Sequence, residues 1–194
     1  RCQAFYEREH YIFDNSPDLD GLTGIRCALS GTSRLQQPDF DGTLKIGKDF
    51  EFHAVVNGDP TAFLKEHGID RPFITFHRGN DVAYGGDAVK LWPLGSYVSL
   101  IRMVKEKYPD YLTVQIGVSR ERCPHMDGVD IDLVGQTTME DVKGMMMYSS
   151  LHVDAEGGFV LLRRCLMGGQ SVVLFGPTSK RLYAYDGNIN ITRD

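Results

Sequence analysis

Residues 151–179, LHVDAEGGFVLLRRCLMGGQSVVLFGPTS, decide the fold class. A short apolar strand, Leu151 to Val153, runs into Asp154-Ala155-Glu156 and then Gly157-Gly158. A helix-like run follows and ends at Gly168-Gly169, and a second buried strand spans Ser171 to Phe175. The order is strand, tight turn, helix, strand. In such a unit the helix N-terminus aims its free N–H groups and the positive end of its dipole at the carboxyl edge of the sheet, which suits a phosphate. Two glycines at that point let a ligand approach the backbone closely. A purely architectural reading stands beside this one: Gly-Gly is common at turns, and Glu156 can serve simply to cap the helix that it precedes.

Upstream of this unit the same alternation recurs. Pro60 to His67 reads as a short helix that starts on a proline and stops at Gly68. Phe73 to Phe76 is a buried strand. Pro93 stands where a helix begins, with Leu94, Tyr97, Val98, Ile101 and Val104 on one face, Lys105 and Lys107 in the last turn, and Pro109 beyond it. Tyr111 to Ile116 and Val129 to Val134 are further strands. Thr137-Thr138-Met139-Glu140-Asp141 resembles a capping box that opens a helix running through Met145 to Met147. Strands alternating with helices over more than a hundred residues specify a doubly wound, Rossmann-like α/β domain with a parallel sheet. Ligands in that architecture sit beyond the carboxyl ends of the strands, so the loops after Phe76, Ile116, Val134, Val153 and Phe175 are the ones to inspect.

The 194 residues suffice for one good-sized domain, or a domain plus a smaller piece. Residues 1–70 read as an irregular N-terminal segment, a remnant of a preceding domain or an arm on the main one. Phe50 to Val56 is its half-buried strand, with His53 on one face. Residues 71–194 form the regular domain. A net charge of −5 argues against a dedicated nucleic-acid binder. No run approaches the roughly 18 apolar residues of a membrane span, and no signal-peptide pattern is present. Cys2, Cys27, Cys123 and Cys165 are scattered without metal-ligand spacing, which suits reduced thiols in a cytoplasm.

Each candidate ligand residue has two readings. Lys90, just before Trp92-Pro93, is either a compact cation for a phosphate or a solvated lysine; for Trp92 packing is the simpler role. Gly135-Gln136-Thr137-Thr138 offers amides and hydroxyls at a helix start, and capping explains the threonines equally well. Gly176-Pro177-Thr178-Ser179 is a rigid turn whose hydroxyls face the same edge as Glu156. His77 and His152 lie near strand ends, within reach of a ligand, although a hydrogen-bonded structural role fits each. There is no zinc-protease motif, nucleophile elbow, Walker loop or G-x-G-x-x-G fingerprint, so hydrolase, NTPase and nicotinamide oxidoreductase readings lose their support.

Taken in order, KLWP at Lys90 to Pro93, LTVQIG at Leu112 to Gly117, DLVGQTTMEDVKGMM at Asp132 to Met146, DAEGGFVLLRRCL at Asp154 to Leu166 and SVVLFGPTS at Ser171 to Ser179 resemble the C-terminal domain of glycosyltransferase family nine. This is the family of the bacterial ADP-heptose lipopolysaccharide heptosyltransferases. The resemblance covers about residue 71 onward and implies a GT-B enzyme of two Rossmann-like halves, of which this chain holds the nucleotide-sugar-binding one. It implies that Lys90 meets the donor diphosphate, that Glu156 takes the place of the acidic residue bonding the donor sugar, and that Gly157 and Gly158 present amides to the phosphates. Thr137, Thr138 and Thr178 would line the nucleotide pocket. No cofactor and no metal is implied, since Lys90 and a helix dipole can answer the charge of a departing diphosphate.

Two positions depart from the family. Leu161 stands where a histidine is usual, five residues after the acidic residue, and Ser119 stands where an acidic residue often follows the strand. The N-terminal half that would bind the acceptor and supply the general base has no counterpart in residues 1–70, so the expectation is a piece of a longer enzyme, with the catalytic residues unassigned. Three functions follow: the donor-binding part of an inverting glycosyltransferase that takes a glycan or lipid-linked acceptor; a non-catalytic, degenerate nucleotide-sugar-binding or partner-docking module; and an α/β domain with a decayed pocket. The resemblance implies a cytoplasmic location with at most peripheral membrane contact.

Overall fold

A computed structural model of the chain describes residues 54, 56–78, 90–166, 169–178, 180, 184–185 and 187–192. The first fifty residues, most of the expected Phe50–Val56 strand, Cys2, Cys27, Gly168 and Ser179 lie outside them. Six strands are described: β1 (Phe73–His77), β2 (Leu112–Ile116), β3 (Ile131–Asp132), β4 (Leu151–Ala155), β5 (Ser171–Phe175) and β6 (Ile189–Thr192). They form one parallel sheet in the order β3-β2-β1-β4-β5-β6. Strand β1 is laid down at the centre, β2 and β3 are added on one side, and β4 to β6 on the other. The chain therefore reverses its winding between β1 and β4, the switch point beside which open α/β sheets hold their ligands.

Period-2 alternation along the strands sorts the two cores. Phe73 of β1 with Leu112, Val114 and Ile116 of β2 packs under α1 (Pro60–Glu66), α3 (Met139–Tyr148) and α4 (Gly158–Cys165), through Leu64, Val142, Met145, Met146 and Leu162. Ile74, Phe76, Val153 and Leu174 pack on the opposite face against Tyr97 and Ile101 of α2 (Leu94–Lys107). Helices thus cover both faces. Of the methionine run, Met145 and Met146 are core and Met147 is exposed.

The second face of β2 is finished by polar side chains instead of a helix. Thr113 takes the Asp130 carboxylate at 2.8 Å through its hydroxyl and at 2.9 Å through its amide, while Gln115 donates to Pro124 O and accepts from the Met126 amide, both at 2.8 Å. These bonds satisfy a loop that runs directly from β2 to β3. The expected strand Val129–Val134 shortens to Ile131–Asp132 because the Asp132 carboxylate accepts the Val134 amide at 3.1 Å and turns the chain.

Helix α3 opens on the expected capping box: the Thr138 hydroxyl accepts from the Asp141 amide and the Asp141 carboxylate accepts from the Thr138 amide. Helix α4 begins after Gly157 without a side-chain cap, so Glu156 does not cap it, and its last helical residue is Cys165. Strand β6 was not expected: its alternation, Ile-Asn-Ile-Thr, spans only four residues.

Candidate functional site at the strand ends

Parallel pairing brings the ends of β1, β4 and β5 to one edge. The turn after β4 carries Glu156, the turn after β5 carries Thr178, and Lys90 precedes α2. The three meet: Lys90 Nζ is 3.5 Å from Glu156 Oε2, and the Thr178 hydroxyl donates to the same oxygen at 3.0 Å. The Glu156 side chain is only 12% exposed, whereas Lys90 is 36% exposed, so the carboxylate is set in the wall and the ammonium reaches the solvent side. Arg78 anchors the approach to α2 by donating its Nε–H to Trp92 O at 2.9 Å, and the Trp92 ring packs edge-on against Tyr97.

Gly157 and Gly158 follow Glu156 directly. Gly158 is exposed, and a Cβ placed on it would meet no atom within 4 Å. The protein's own packing does not require glycine there; what its absence of a side chain leaves is open space above the first amides of α4, which have no partner inside the helix. Thr137 and Thr138 are not brought to Glu156. They stand at the start of α3 after β3, which two strands separate from β4 in the sheet, and the Thr138 hydroxyl is engaged with Asp141.

Beneath the Glu156 turn His77 and His152 take the hydrogen-bonded roles expected of them, around an Asp154 that the sequence did not single out. His77 Nδ1, at the end of β1, is 2.9 Å from both oxygens of Asp154 on β4. His77 Nε2 is 3.6 Å from Cys123 Sγ in the β2–β3 loop. His152 Nε2 stands 3.4 Å from Asp154 Oδ2, and its Nδ1 is 3.0 Å from the Thr75 hydroxyl. Burial lowers the affinity of His77 for its proton, but the charge and hydrogen bonds of Asp154, with help from Cys123, outweigh it and push the pKa up to about 10. Burial raises the Asp154 carboxyl, and the charge of His77, its hydrogen bond and the neighbouring His152 ring override this to hold it below the ordinary carboxylate range. Burial keeps His152 below its usual value despite Asp154. The charge pattern is a carboxylate between one imidazolium and one neutral imidazole.

No sequence signal joins the histidines to Asp154 or Cys123. His77 and Asp154 are 77 positions apart, and only the β1–β4 pairing joins them. Leu161, at the position of the family's histidine, is buried with Val160, Cys165, Val173 and Phe175 and points into the core. Among the described residues no group of three or more His, Cys, Asp or Glu is placed to hold a metal ion, and no helix is long and apolar enough to cross a membrane.

A glycosyltransferase family 9 protein from Veillonella parvula superposes with a TM-score of 0.57 at 18% identity, over 78% of this chain and 44% of that one. The fold is that of one half of a GT-B heptosyltransferase. ADP-heptose lipopolysaccharide heptosyltransferase II of E. coli gives a TM-score of 0.57 at 19% identity, over 72% of this chain and 44% of that one. The iron-containing heptosyltransferase TibC, a dodecamer in complex with ADP-D-β-D-heptose, gives 0.53 at 13% identity over 64% and 32%. The chain thus spans less than half the length of each of these heptosyltransferase-fold proteins. No protein-family model matches the sequence, and no curated protein sequence matches it.

Proposed function

We propose that this chain is the donor-binding part of an inverting, metal-independent glycosyltransferase that moves a heptose-like sugar from a nucleoside diphosphate sugar to a bacterial surface glycan. The observation that carries the reading is the convergence of Lys90, Glu156 and Thr178 at the open N-terminus of α4. The solved heptosyltransferase-fold relatives support it, one of them in complex with a nucleotide heptose.

In this reading the diphosphate lies on the amides of Gly157 and Gly158 with Lys90 turned from Glu156 toward it, and Glu156 accepts hydroxyls of the donor sugar. Thr178 fixes the Glu156 rotamer, while Thr137 and Thr138 line the distant part of the pocket along the same edge. The acceptor oxygen bonds to the anomeric carbon as the bond to the diphosphate breaks, so the configuration inverts. The electron pair leaves on the diphosphate, where Lys90 and the helix dipole meet it. The proton of the acceptor hydroxyl passes to a general base, a role that this reading assigns to none of Lys90, Glu156 and Thr178. A cytoplasmic enzyme touching the membrane only peripherally would suit a lipid-linked acceptor.

A second reading, a binding or docking module without transfer activity, is favoured by Leu161, whose buried side chain gives a ligand nothing to bond. Calorimetry and thermal shift with ADP, UDP, GDP and CMP and their sugars, without and with magnesium, test both, since a ligand of the folded state raises its apparent stability. Metal-independent binding of one nucleotide, lost in Lys90→Ala, is the expected result. Binding without sugar transfer by any form of the protein would favour the second reading, and no response to any nucleotide would sink both and leave the decayed pocket.

A further inference from the structure

The Glu156-Gly157-Gly158 turn has few bonds of its own, yet the residues on either side of it converge on one imidazole. On the strand side, Asp154 accepts the Ala155 amide at 2.7 Å and holds His77 Nδ1 at 2.9 Å. On the helix side, the Phe159 ring stands edge-on to His77 with centroids 4.6 Å apart and planes at 74°. The second ring nitrogen of His77 faces Cys123 Sγ at 3.6 Å. That thiol is seated against Gly117, where a Cβ would come within 2.4 Å of the sulfur. Groups from β4, α4 and the β2–β3 loop therefore fix the ring, and the ring touches both flanks of the turn.

We propose that His77 is a positioning residue of the donor site: it sets the Glu156-Gly157-Gly158 turn from both sides, through Asp154 before it and Phe159 after it. This rests on the reading of that turn as the nucleotide-sugar site. The side chain must be aromatic to meet Phe159 edge to face and must carry a donor for a buried carboxylate, and histidine supplies both. With its Nδ1–H directed at Asp154, the ring donates to the carboxylate at 2.9 Å, and the carboxylate's charge favours the imidazolium. Asp154 in turn is free to keep its bond to the Ala155 amide, one residue before Glu156. With both nitrogens occupied His77 does not itself bond the ligand, so it acts through the turn.

The test compares wild type, His77→Leu and His77→Asn, because an asparagine amide can still donate to Asp154. Amide hydrogen exchange on the ligand-free proteins reads the turn directly. In His77→Leu, protection at Ala155 and at Leu161, whose amide donates to Gly157 O at 3.3 Å, falls by about tenfold, as for the loss of one buried hydrogen bond, while β2 and β5 keep theirs. In His77→Asn most of the protection returns at Ala155. Calorimetric titration with ADP, UDP, GDP or CMP, whichever wild type binds, then weakens about tenfold in His77→Leu and is largely rescued in His77→Asn. Unchanged turn amides, or a uniform rise in exchange across the sheet, overturn the proposal, as does a loosened turn that leaves nucleotide affinity intact. If wild type binds no nucleotide, the functional reading fails and the exchange pattern alone decides whether His77 sets the turn. Should His77→Leu not fold, Phe159→Leu removes only the ring contact and is expected to loosen the Leu161 amide on Gly157 O while sparing Ala155.

Discussion

His77 Nδ1 is equidistant, at 2.9 Å, from the two oxygens of Asp154, across the line where the winding of the sheet reverses. Two buried groups of opposite charge held this way make stability depend on pH. His77 binds its proton up to about pH 10 when folded but only to about 6.5 when unfolded. Its contribution is therefore complete below pH 6.5 and fades as pH climbs toward 10. Asp154 is shifted the other way, below its unfolded value of 3.8, so its share is present above that value and disappears as acid titrates the folded carboxyl. The pair stabilises most between about pH 4 and 6.5.

Asp154→Asn should cost about 3 kcal/mol in that window, the scale for breaking a buried pair, and the gap from wild type should narrow steadily toward pH 10. Urea unfolding at a series of pH values measures it, with Cys123 and His152 unchanged in both proteins. A gap that stays constant from pH 5 to 10 would mean that His77 is neutral in the fold.

Arg163 is 1% exposed, and among the described residues no acid pairs with it. Its guanidinium instead donates to Met146 O, to the Ser149 hydroxyl, to Ser149 O at 2.9 Å and to Gln170 O at 3.1 Å. It thereby ties α4 to the α3–β4 corner and to the start of β5. Burial pulls its pKa down to about 10, which leaves it charged at neutral pH. Arg163→Met fills a similar volume but strands those acceptors. A loss of roughly 3 kcal/mol is expected, since each buried acceptor left alone costs about 1–3 kcal/mol and water can reach some of them. Chemical denaturation checks it; a change under 1 kcal/mol would show that the charge was costing as much as its bonds return.

Gly144 lies inside α3, where glycine is a poor helix former. A Cβ there would stand 2.4 Å from Pro60 Cβ, so the glycine is what lets α1 rest on α3. Helix propensity favours Gly144→Ala by about 1 kcal/mol, and overpacking opposes it by about 1–3 kcal/mol. The overlap is with a proline ring that cannot rotate away, so net destabilisation of about 1 kcal/mol is expected by thermal or urea unfolding. A more stable variant would mean that α1 yields.

The sequence made the elements legible wherever the information was local. The β4–α4–β5 unit, the proline-led α2 and the Thr138–Asp141 box are all written within one or two helical turns, and each formed. The convergence of Lys90, Glu156 and Thr178 was legible one step further out, because a parallel sheet delivers consecutive strand ends to one edge. What escaped depends on pairing between distant strands: Asp154 acquires its meaning only when β4 lies beside β1, and Thr113 and Gln115 replace a helix only once the loop folds back on them. Helical spacing likewise could not reveal that Leu161 faces inward.

That inward direction leads to the last expectation, on the site itself. Lys90 Nζ lies 3.5 Å from the Glu156 carboxylate, so a diphosphate bound as proposed must draw the lysine away from it. Lys90→Ala removes the cation and should weaken a nucleoside diphosphate at least about tenfold, the scale of a charge-assisted bond. Glu156→Gln removes the competitor instead. The free diphosphate should then bind as tightly as before or up to about tenfold tighter, while the preference for the sugar-bearing donor is lost. Leu161→His, which places an imidazole at that position of α4, should bring no gain in affinity and cost about 2 kcal/mol of stability, because the imidazole enters an apolar core. Titration calorimetry of the three variants separates these effects. If Glu156→Gln weakened diphosphate and diphosphate sugar equally, the carboxylate would be holding the turn and not the sugar, and its role in the donor site would have to be withdrawn.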